Sequence, residues 1–364
     1  MKTSVCMLAV VAGLAAASQA AVINLSLIKT IDTSSTSNAA NSNFVGSNVS
    51  GIAWNGTDLW VGGYNASGAT ANTAMAKYDG TTNTWGASFG AISTANSRGI
   101  TGLALKGNNL AAAWDNGANN VNSVRSFNAT TGAQSWATGG GTPDASRRGM
   151  GGVAFDPGFN GAGTNIGVSY LAPGSGRRHL MDANTGNYIN GQNAGAIINF
   201  APAGTTWRGH AFDPATGDLY TRESNRVGKA VRNGDNSFVG AASTVIVANT
   251  TQSAVDNQNI AFVNSGAYGS FLIFNDRSSA ATGQAASGVI KASDLSGVLH
   301  TLNFGAFSFL NGNGAYSFAF DAGSQTLAIS DFANRSVYIF AVPTPGTAAL
   351  LGLGGLVAAR RRRA

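Results

Sequence analysis

Three arginines and one aspartate have the types and spacing that could do chemistry in this sequence. Arg98 and Arg148 each stand four residues before the glycine of a recurring tetrapeptide, and Arg208 directly precedes the glycine of another copy. Guanidinium groups at equivalent places would form a cationic arc suited to carboxylate or sulfate groups. Asp256, with Asn257 and Gln258 after it, could bind sugar hydroxyls. The alternative is that the arginines cap carbonyls or pair with aspartates on solvated loops, and that Asp256 fills a turn.

Other catalytic and metal-binding groups do not form a recognisable set. Glu223 is the only glutamate, and no two aspartates stand out as the carboxylate pair that glycoside hydrolysis needs. The three histidines fall at different points of the repeat described below, so we do not expect them to share a metal ion. The sequence therefore requires no cofactor, although Ca²⁺ is compatible with a hydrolase.

One tetrapeptide pattern recurs six times, and it consists of a small residue, an apolar residue, alanine and a large apolar residue. The alanines are separated by 51, 50, 57, 50 and 58 residues. A period near 50 residues, with room for four short strands, is typical of a β-propeller blade. The copies are GIAW from Gly51, GLAL from Gly102, GVAF from Gly152, GHAF from Gly209, NIAF from Asn259 and SFAF from Ser317.

The elements that must position these residues are strands. Two further short runs with alternating apolar residues follow each tetrapeptide, and turns rich in Asp, Asn and Gly separate them. We predict an all-β, six-bladed β-propeller over residues 21–341, with the alanines on innermost strands that crowd the axis. The sixth unit lacks a fourth strand, and the N-terminal run Val22 to Ile31 is expected to complete it. A β-sandwich or a parallel β-helix is the competing all-β fold, and seven blades would need a further copy.

The charge of the chain is concentrated at its ends. Lys2 and four C-terminal arginines account for five of the 22 basic residues, so the rest carries 17 basic and 16 acidic residues. A nearly neutral body argues against a nucleic-acid partner. Trp54, Trp60 and Trp114 suit sugar stacking by type, but they lie within strand patterns and are expected in the core.

The N-terminus has the parts of a secretory signal peptide at residues 1–20. Lys2 is followed by an apolar run, and Ser18-Gln19-Ala20 is a small-x-small cleavage site. We expect signal peptidase to cut between Ala20 and Ala21, which exports the protein. Cys6, the only cysteine, would leave with the signal.

The C-terminal residues 342–364 combine a proline motif, a short apolar segment and an arginine cluster. The order resembles the PEP-CTERM sorting signals of exported bacterial proteins, with Thr344 where the family usually has Glu. The resemblance implies an exosortase-type protease as partner, at least transient membrane insertion as a short apolar helix, and delivery to the cell surface. The residues that carry it are Pro343, Pro345, Gly346, Arg360, Arg361, Arg362 and Arg363.

These observations favour a surface-displayed, non-catalytic β-propeller that binds extracellular polysaccharide or another surface protein. The alternative is an exported, metal-assisted hydrolase of the lactonase type, which would need carboxylate and amide oxygens from several blades around one axial point. Asp256 and Asn259 are the candidates for that cluster.

Overall fold

The computed structural model describes 13 segments of the chain: residues 20–65, 72–92, 99–115, 123–137, 152–161, 167–172, 177–187, 207–223, 225–239, 244–251, 258–276, 290–309 and 316–344. Their secondary structure consists of 25 strands and two 3₁₀ turns, Ser35–Ser37 and Phe159–Gly161, so the predicted all-β class is confirmed. No helix within these segments has the length and apolarity that crossing a membrane requires. The predicted C-terminal helix, and the signal peptide before Ala20, lie outside them.

Two N-terminal strands precede the first two sequence repeats. Those repeats share one nine-stranded sheet. The second strand of the first repeat and the first strand of the second repeat pair at a single position, Tyr64 opposite Gly99. Within each repeat, consecutive strands are antiparallel neighbours, except that the fourth and fifth strands of the first repeat both pair antiparallel with its third strand. The bounds are β1 (Val22–Asn24), β2 (Ser26–Asp32), β3 (Asn48–Trp54), β4 (Leu59–Tyr64), β5 (Thr73–Asp79), β6 (Thr84–Trp85), β7 (Phe89–Ile92), β8 (Gly99–Lys106), β9 (Asn109–Asp115), β10 (Ser123–Asn128) and β11 (Gln134–Ala137).

The remaining four repeats each form a sheet of their own. The third has three described strands, the fourth has four, and the fifth and sixth each gain an N-terminal strand. All pairs of consecutive strands within these repeats are antiparallel. The bounds are β12 (Val153–Asp156), β13 (Gly167–Ala172), β14 (Arg177–Met181), β15 (Trp207–Phe212), β16 (Leu219–Glu223), β17 (Val227–Ala230), β18 (Thr244–Val247), β19 (Ile260–Ser265), β20 (Gly269–Asn275), β21 (Ile290–Asp294), β22 (Leu299–Asn303), β23 (Tyr316–Asp321), β24 (Thr326–Asp331) and β25 (Ser336–Ala341).

Aspartates fix several of the turns between strands. The Asp79 carboxylate accepts hydrogen bonds from the main-chain N–H groups of Thr81 and Thr82, at 2.8 and 2.9 Å. Asp182 accepts from Asn184 and Thr185 in the same way, at 2.9 and 2.8 Å. These hydrogen bonds hold the pKa of both carboxyl groups below the usual value. The turn residues that the sequence indicated are therefore used as carboxylate-capped turns.

The first strands of the six repeats lie side by side around one axis, in the cyclic order β3, β8, β12, β15, β19, β23 and again β3. The small first residue of the tetrapeptide permits this closeness. A Cβ atom on Gly51 would lie 3.1 Å from the Cα of Gly102, and one on Gly102 would lie 2.9 Å from the Cα of Gly152. Sheets arranged radially around an axis form a β-propeller, so the predicted fold is confirmed. The number of blades stays a prediction. The six repeats that the structure describes agree with it.

Buried polar contacts join each described repeat to the next, in addition to apolar packing. A tryptophan N–H, an arginine or an asparagine supplies the donor in every case. The contacts are Trp60 Nε1 to Ala129 O (2.9 Å), Trp136 Nε1 to Ala183 O (2.8 Å), Arg232 Nη2 to Asp156 Oδ1 (2.6 Å), Arg222 Nε to Asn275 O (2.8 Å), Asn275 Nδ2 to Tyr316 O (2.9 Å) and Trp54 Nε1 to Thr326 Oγ1 (2.7 Å). Because these contacts are directional, they fix how each sheet sits against its neighbour.

The N-terminal segment is divided between two repeats, which corrects the prediction of one strand from Val22 to Ile31. The strand β2 pairs antiparallel with β25, so it completes the sixth repeat as expected. The strand β1 instead lies parallel to β22 of the fifth repeat. Leu25, only 2% exposed, lies between the two strands, and its N–H donates to the carbonyl of Asn303 at 2.8 Å. The break between β1 and β2 therefore falls at Leu25, whose side chain is buried while its N–H still bonds to the fifth repeat.

The molecule has two distinct faces. We call the face where the first strands begin the loop face, and the face where they end the hairpin face, because first-to-second-strand hairpins lie there. Ala341 ends β25 opposite Thr326, directly beside such a hairpin. The N–H of Val342 then donates to Gln325 O at 2.8 Å, and Ser265 Oγ donates to Pro343 O at 3.0 Å. The described chain therefore ends on the hairpin face.

Candidate functional site

A pocket of about 390 Å³ lies on the axis, between the first strands. Its walls are the second, third and fourth residues of all six tetrapeptides, and this places every repeated alanine in the wall. The alanines therefore lie on the innermost strands, as predicted, where they border an open pocket, and Ala53 and Ala261 also pack between neighbouring sheets. The wall residues are 52–54, 103–105, 153–155, 210–212, 260–262 and 318–320.

Gln258 crosses the pocket on the side of the loop face. It directly precedes the fifth repeat, but its amide reaches the first and second repeats across the axis. Gln258 Oε1 accepts from the N–H groups of Ile52 and Leu103, both at 3.1 Å. Its Nε2 donates to the carbonyls of the same two residues, at 2.8 and 2.6 Å. Gln258 adopts a left-handed φ of 50°, which turns the side chain into the channel.

The other end of the pocket is surrounded by large side chains from the fourth tetrapeptide position. Trp54 and Phe212 are each 8% exposed, and the others are partly buried. These rings also pack between neighbouring sheets, as the sequence predicted for them. The side chains are Trp54, Leu105, Phe155, Phe212, Phe262 and Phe320, and Pro214, Asn264 and Ala322 from the adjoining hairpins complete the lining.

His210 is the only titratable side chain in the described lining of this pocket. It is 5% exposed, and its ring packs edge-on against Phe212 with centroids 5.8 Å apart. His210 is therefore a packing residue in an apolar position of the repeat. The pocket wall consequently carries no fixed charge, and it presents alanine methyl groups, aromatic rings and main-chain atoms.

A second polar cluster lies between the third and fourth repeats, and sequence reasoning missed it. The carboxylate of Asp156 bonds to the guanidinium groups of Arg178 and Arg232, and all three side chains are fully buried. Asp156 Oδ1 also accepts from Gly158 N at 2.9 Å. The sequence offered only a weak signal for this cluster, namely a charged residue, Arg178, within a run that reads as a strand. The structure buries its side chain completely.

Two phenylalanines sandwich the same guanidinium groups. The Arg232 guanidinium lies 4.2 Å from the ring centroid of Phe238, and that of Arg178 lies 5.3 Å from it. The ring centroid of Phe212, in β15, lies 5.6 Å from the guanidinium of Arg232 and 5.8 Å from that of Arg178. Burial lowers the pKa of Arg178 to about 10, so the group is still charged at neutral pH. The cluster is therefore a charged contact between neighbouring repeats in which one carboxylate bonds to two guanidinium groups.

The residues predicted to bind ligand are mostly not described. Arg98, Arg148 and Asp256 lie outside the described segments, as do Pro345, Gly346 and Arg360 to Arg363. Arg208 lies in β15, where the pairing with β16 shifts between Trp207 and Gly209. The cationic arc consequently stays a prediction.

Metal ligation receives no support from the described part of the chain, where no group of three or more His, Cys, Asp or Glu side chains is placed to hold an ion. Asn259, the other candidate for an axial cluster, is fully buried, and its Oδ1 would lie 2.8 Å from a Cβ atom on Gly209. It thus packs against the neighbouring first strand. The stretch Asp213 to Asp218 is a hairpin between first and second strands, with the N–H of Asp213 bonded to Asp218 O at 2.9 Å.

Comparison with solved structures agrees with this architecture. An auxiliary nutrient binding protein from Bacteroides ovatus superposes with a TM-score of 0.56 at 14% identity, over 81% of this chain and 69% of that one. The fold is a β-propeller. The Cps50 (Swd1) β-propeller domain of Myceliophteria thermophila gives a TM-score of 0.48 at 11% identity, over 81% of this chain and 98% of that one. A gluconolactonase from Xanthomonas campestris gives 0.44 at 13% identity, over 81% and 86%.

No protein-family model matches the sequence, and the search of curated proteins finds no significant relative. The similarity therefore concerns the propeller fold alone.

Proposed function

We propose that this chain is an exported, surface-sorted β-propeller that binds extracellular polysaccharide or another surface protein and catalyses no reaction. The observation that carries the proposal is the axial pocket. Its volume of about 390 Å³ falls within the roughly 300–1,000 Å³ of small-molecule sites. Its lining combines aromatic rings with main-chain atoms and carries no fixed charge, which suits recognition of a neutral group.

Binding is tested by retention of the purified chain on two immobilised polymers, the neutral polysaccharide dextran and the acidic polysaccharide alginate. Retention on either polymer supports the proposal. Elution of the chain together with an unrelated β-propeller from both polymers would contradict it as far as these polysaccharides are concerned.

The cationic arc is a separate proposal for acidic polymers on the loop face. Replacing Arg98, Arg148 and Arg208 by alanine should abolish retention on alginate and spare retention on dextran. Replacing the exposed Arg335, which also carries a guanidinium, is the matched control. Unchanged retention of the triple variant on alginate would dispose of the arc.

Export and sorting are proposed from the two ends of the sequence. Residues 1–20 would direct secretion through signal peptidase, and residues 342–364 would be read by an exosortase-type membrane protease. N-terminal sequencing of the secreted chain should begin at Ala21. Replacing Arg360 to Arg363 by serine should shift the protein from the cell surface to the medium, because the cluster no longer halts translocation. An unchanged distribution would contradict the sorting role.

A further inference from the structure

We propose that the axial pocket accepts one neutral sugar ring, which enters from the hairpin face. The inference deepens the proposed binding function and rests on it. It names the site, the chemical class of the ligand and the direction of approach, and it differs from the arginine arc in all three.

The floor of the pocket directs a ligand to the hairpin face. The amide of Gln258 makes four hydrogen bonds to main-chain groups, and these use both N–H groups and both lone pairs of its oxygen. The side chain therefore spans the channel as a fixed crossbar near the loop face. Because the amide has no free donor or acceptor, a ligand in the pocket need not form a hydrogen bond with it.

The wall supplies hydrogen-bonding groups of the main chain. Ile52 N–H and C=O point to the axis, since they bond to Gln258. In an antiparallel pair, inward and outward main-chain groups alternate, so those of Trp54, two residues later and opposite Leu59, point the same way. The same reasoning applies from Leu103 to Leu105. The N–H of Phe318, which donates to Gln258 O at 3.2 Å, shows that the sixth repeat has the same orientation.

Innermost strands thus present donors and acceptors around the pocket at the level of the large fourth residues. A ligand at that level must satisfy both kinds of group, or leave them without partners at a free-energy cost. A hydroxyl group both donates and accepts, and a sugar ring carries several hydroxyls around its edge. The edge of a sugar ring therefore matches the wall.

The mouth matches the remaining surface of a sugar. The partly exposed rings of Phe155, Phe262 and Phe320 line it, and aromatic rings pack against the apolar C–H face of a sugar. No Asp, Glu, Lys or Arg is among the described lining residues, so a charged sugar would lose hydration without gaining a counter-charge. A pocket of about 390 Å³, at the lower end of the usual range, is large enough for one sugar ring.

The test is a titration of the purified full chain with methyl α-glucoside, methyl α-galactoside and methyl α-mannoside, followed by calorimetry and by saturation-transfer NMR. Glucuronate serves as the charged probe, and cyclohexanol as the probe with a single hydroxyl. We expect at least one methyl glycoside to bind about tenfold or more tightly than either of these two probes. Tighter binding of glucuronate or of cyclohexanol, or no binding of any glycoside, would overturn the inference.

Two variants localise the binding. Ala154 is partly exposed to the pocket, so Ala154→Leu should fill it and weaken glycoside binding about tenfold or more. Ala333→Leu, at an exposed turn on the loop face, is the matched control and should bind like the unaltered chain. If Ala154→Leu does not fold, Phe320→Leu removes one ring from the mouth and should weaken binding about fivefold. Glycoside binding that neither folded pocket variant alters would refute this site.

The failure of the inference differs from failure of the proposed function. If dextran or alginate retains the chain while no glycoside binds in the pocket, the binding function stands and the sugar pocket is refuted. If the polymers and the glycosides all fail to bind, both the sugar pocket and binding of these polysaccharides are refuted.

Discussion

The buried carboxylate of Asp156 gives the sharpest test of how the propeller is held together. Replacing it by asparagine keeps the size of the side chain and removes its charge. In the structure, this one carboxylate faces the guanidinium groups of Arg178 and Arg232, and none of the three side chains is exposed. The Asp156→Asn variant would therefore remove the negative charge that the two buried guanidinium groups share.

Removing one partner from a buried ion pair costs about 3–5 kcal/mol. The stability of a folded domain is only about 5–15 kcal/mol, so the loss is a large fraction of the total. Each kcal/mol lowers Tm by about 2–4 °C in a domain of 150–250 residues, and by less in a larger one. We therefore expect Tm to fall by roughly 5–15 °C.

Urea unfolding of the purified chain, followed by circular dichroism and by tryptophan fluorescence, measures the change. Asp235→Asn, at an exposed turn three residues after Arg232, is the control; it weakens only solvent-exposed hydrogen bonds to Ser237 and should cost about 1 kcal/mol or less. In an Arg232→Met background, the Asp156→Asn substitution should cost less, because one of the two ion pairs that the carboxylate makes is already gone. A loss below about 1 kcal/mol in the otherwise unaltered chain would refute the reasoning.

Three further predictions address the ring, its closure and its turns. Gly102→Ala should destabilise the fold by about 1–3 kcal/mol in urea unfolding, because the new Cβ would lie 2.9 Å from the backbone of the neighbouring repeat, whereas Gly86→Ala, with its nearest neighbour at 3.5 Å, should not. Removing residues 1–32 deletes β1 and β2, exposes the edge of β25 and should make the protein aggregate in light scattering, unlike the full chain. Folding lowers the pKa of Asp79 and Asp182, so their ionised carboxylates stabilise the fold at pH values above the unfolded-state pKa of about 3.9. This stabilisation is lost as the pH falls through the pKa values of the folded state. The double Asp→Asn variant should therefore lose less Tm than the unaltered chain between about pH 5 and pH 3, and an equal loss would contradict the assignment.

The repeat could be predicted from sequence because the same packing environment constrains the residue type at the same position in every copy. The small first residue of the tetrapeptide permits contact between first strands and the alanine borders the axial pocket, so the same pattern recurs about every 50 residues. The expectation that Trp54, Trp60 and Trp114 belong to the core is confirmed, since none is more than 8% exposed. Each of these features depends on local packing that every repeat shares.

Features that join different repeats left no comparable pattern. Gln258 is one polar residue in a polar stretch, and only the three-dimensional arrangement brings Ile52 and Leu103 within reach of its amide. Asp156 and Arg232 are 76 residues apart, so their pairing has no local signal. The division of the N-terminal segment between two sheets depends likewise on Leu25, whose buried position follows from the packing of the fifth and sixth repeats.

The position of the last strand has a mechanical consequence. The strand β25 lies between β24 and β2, and it ends on the hairpin face beside Thr326. A pull applied at Thr344, away from that face, acts along the length of β25. The pull loads its hydrogen bonds to both neighbours together, in shear, and does not peel them apart one after another. In a protein held by its C-terminal segment, drag from flowing medium or a bound polymer would therefore be borne by two full strand pairings, and the ring would stay closed under tension.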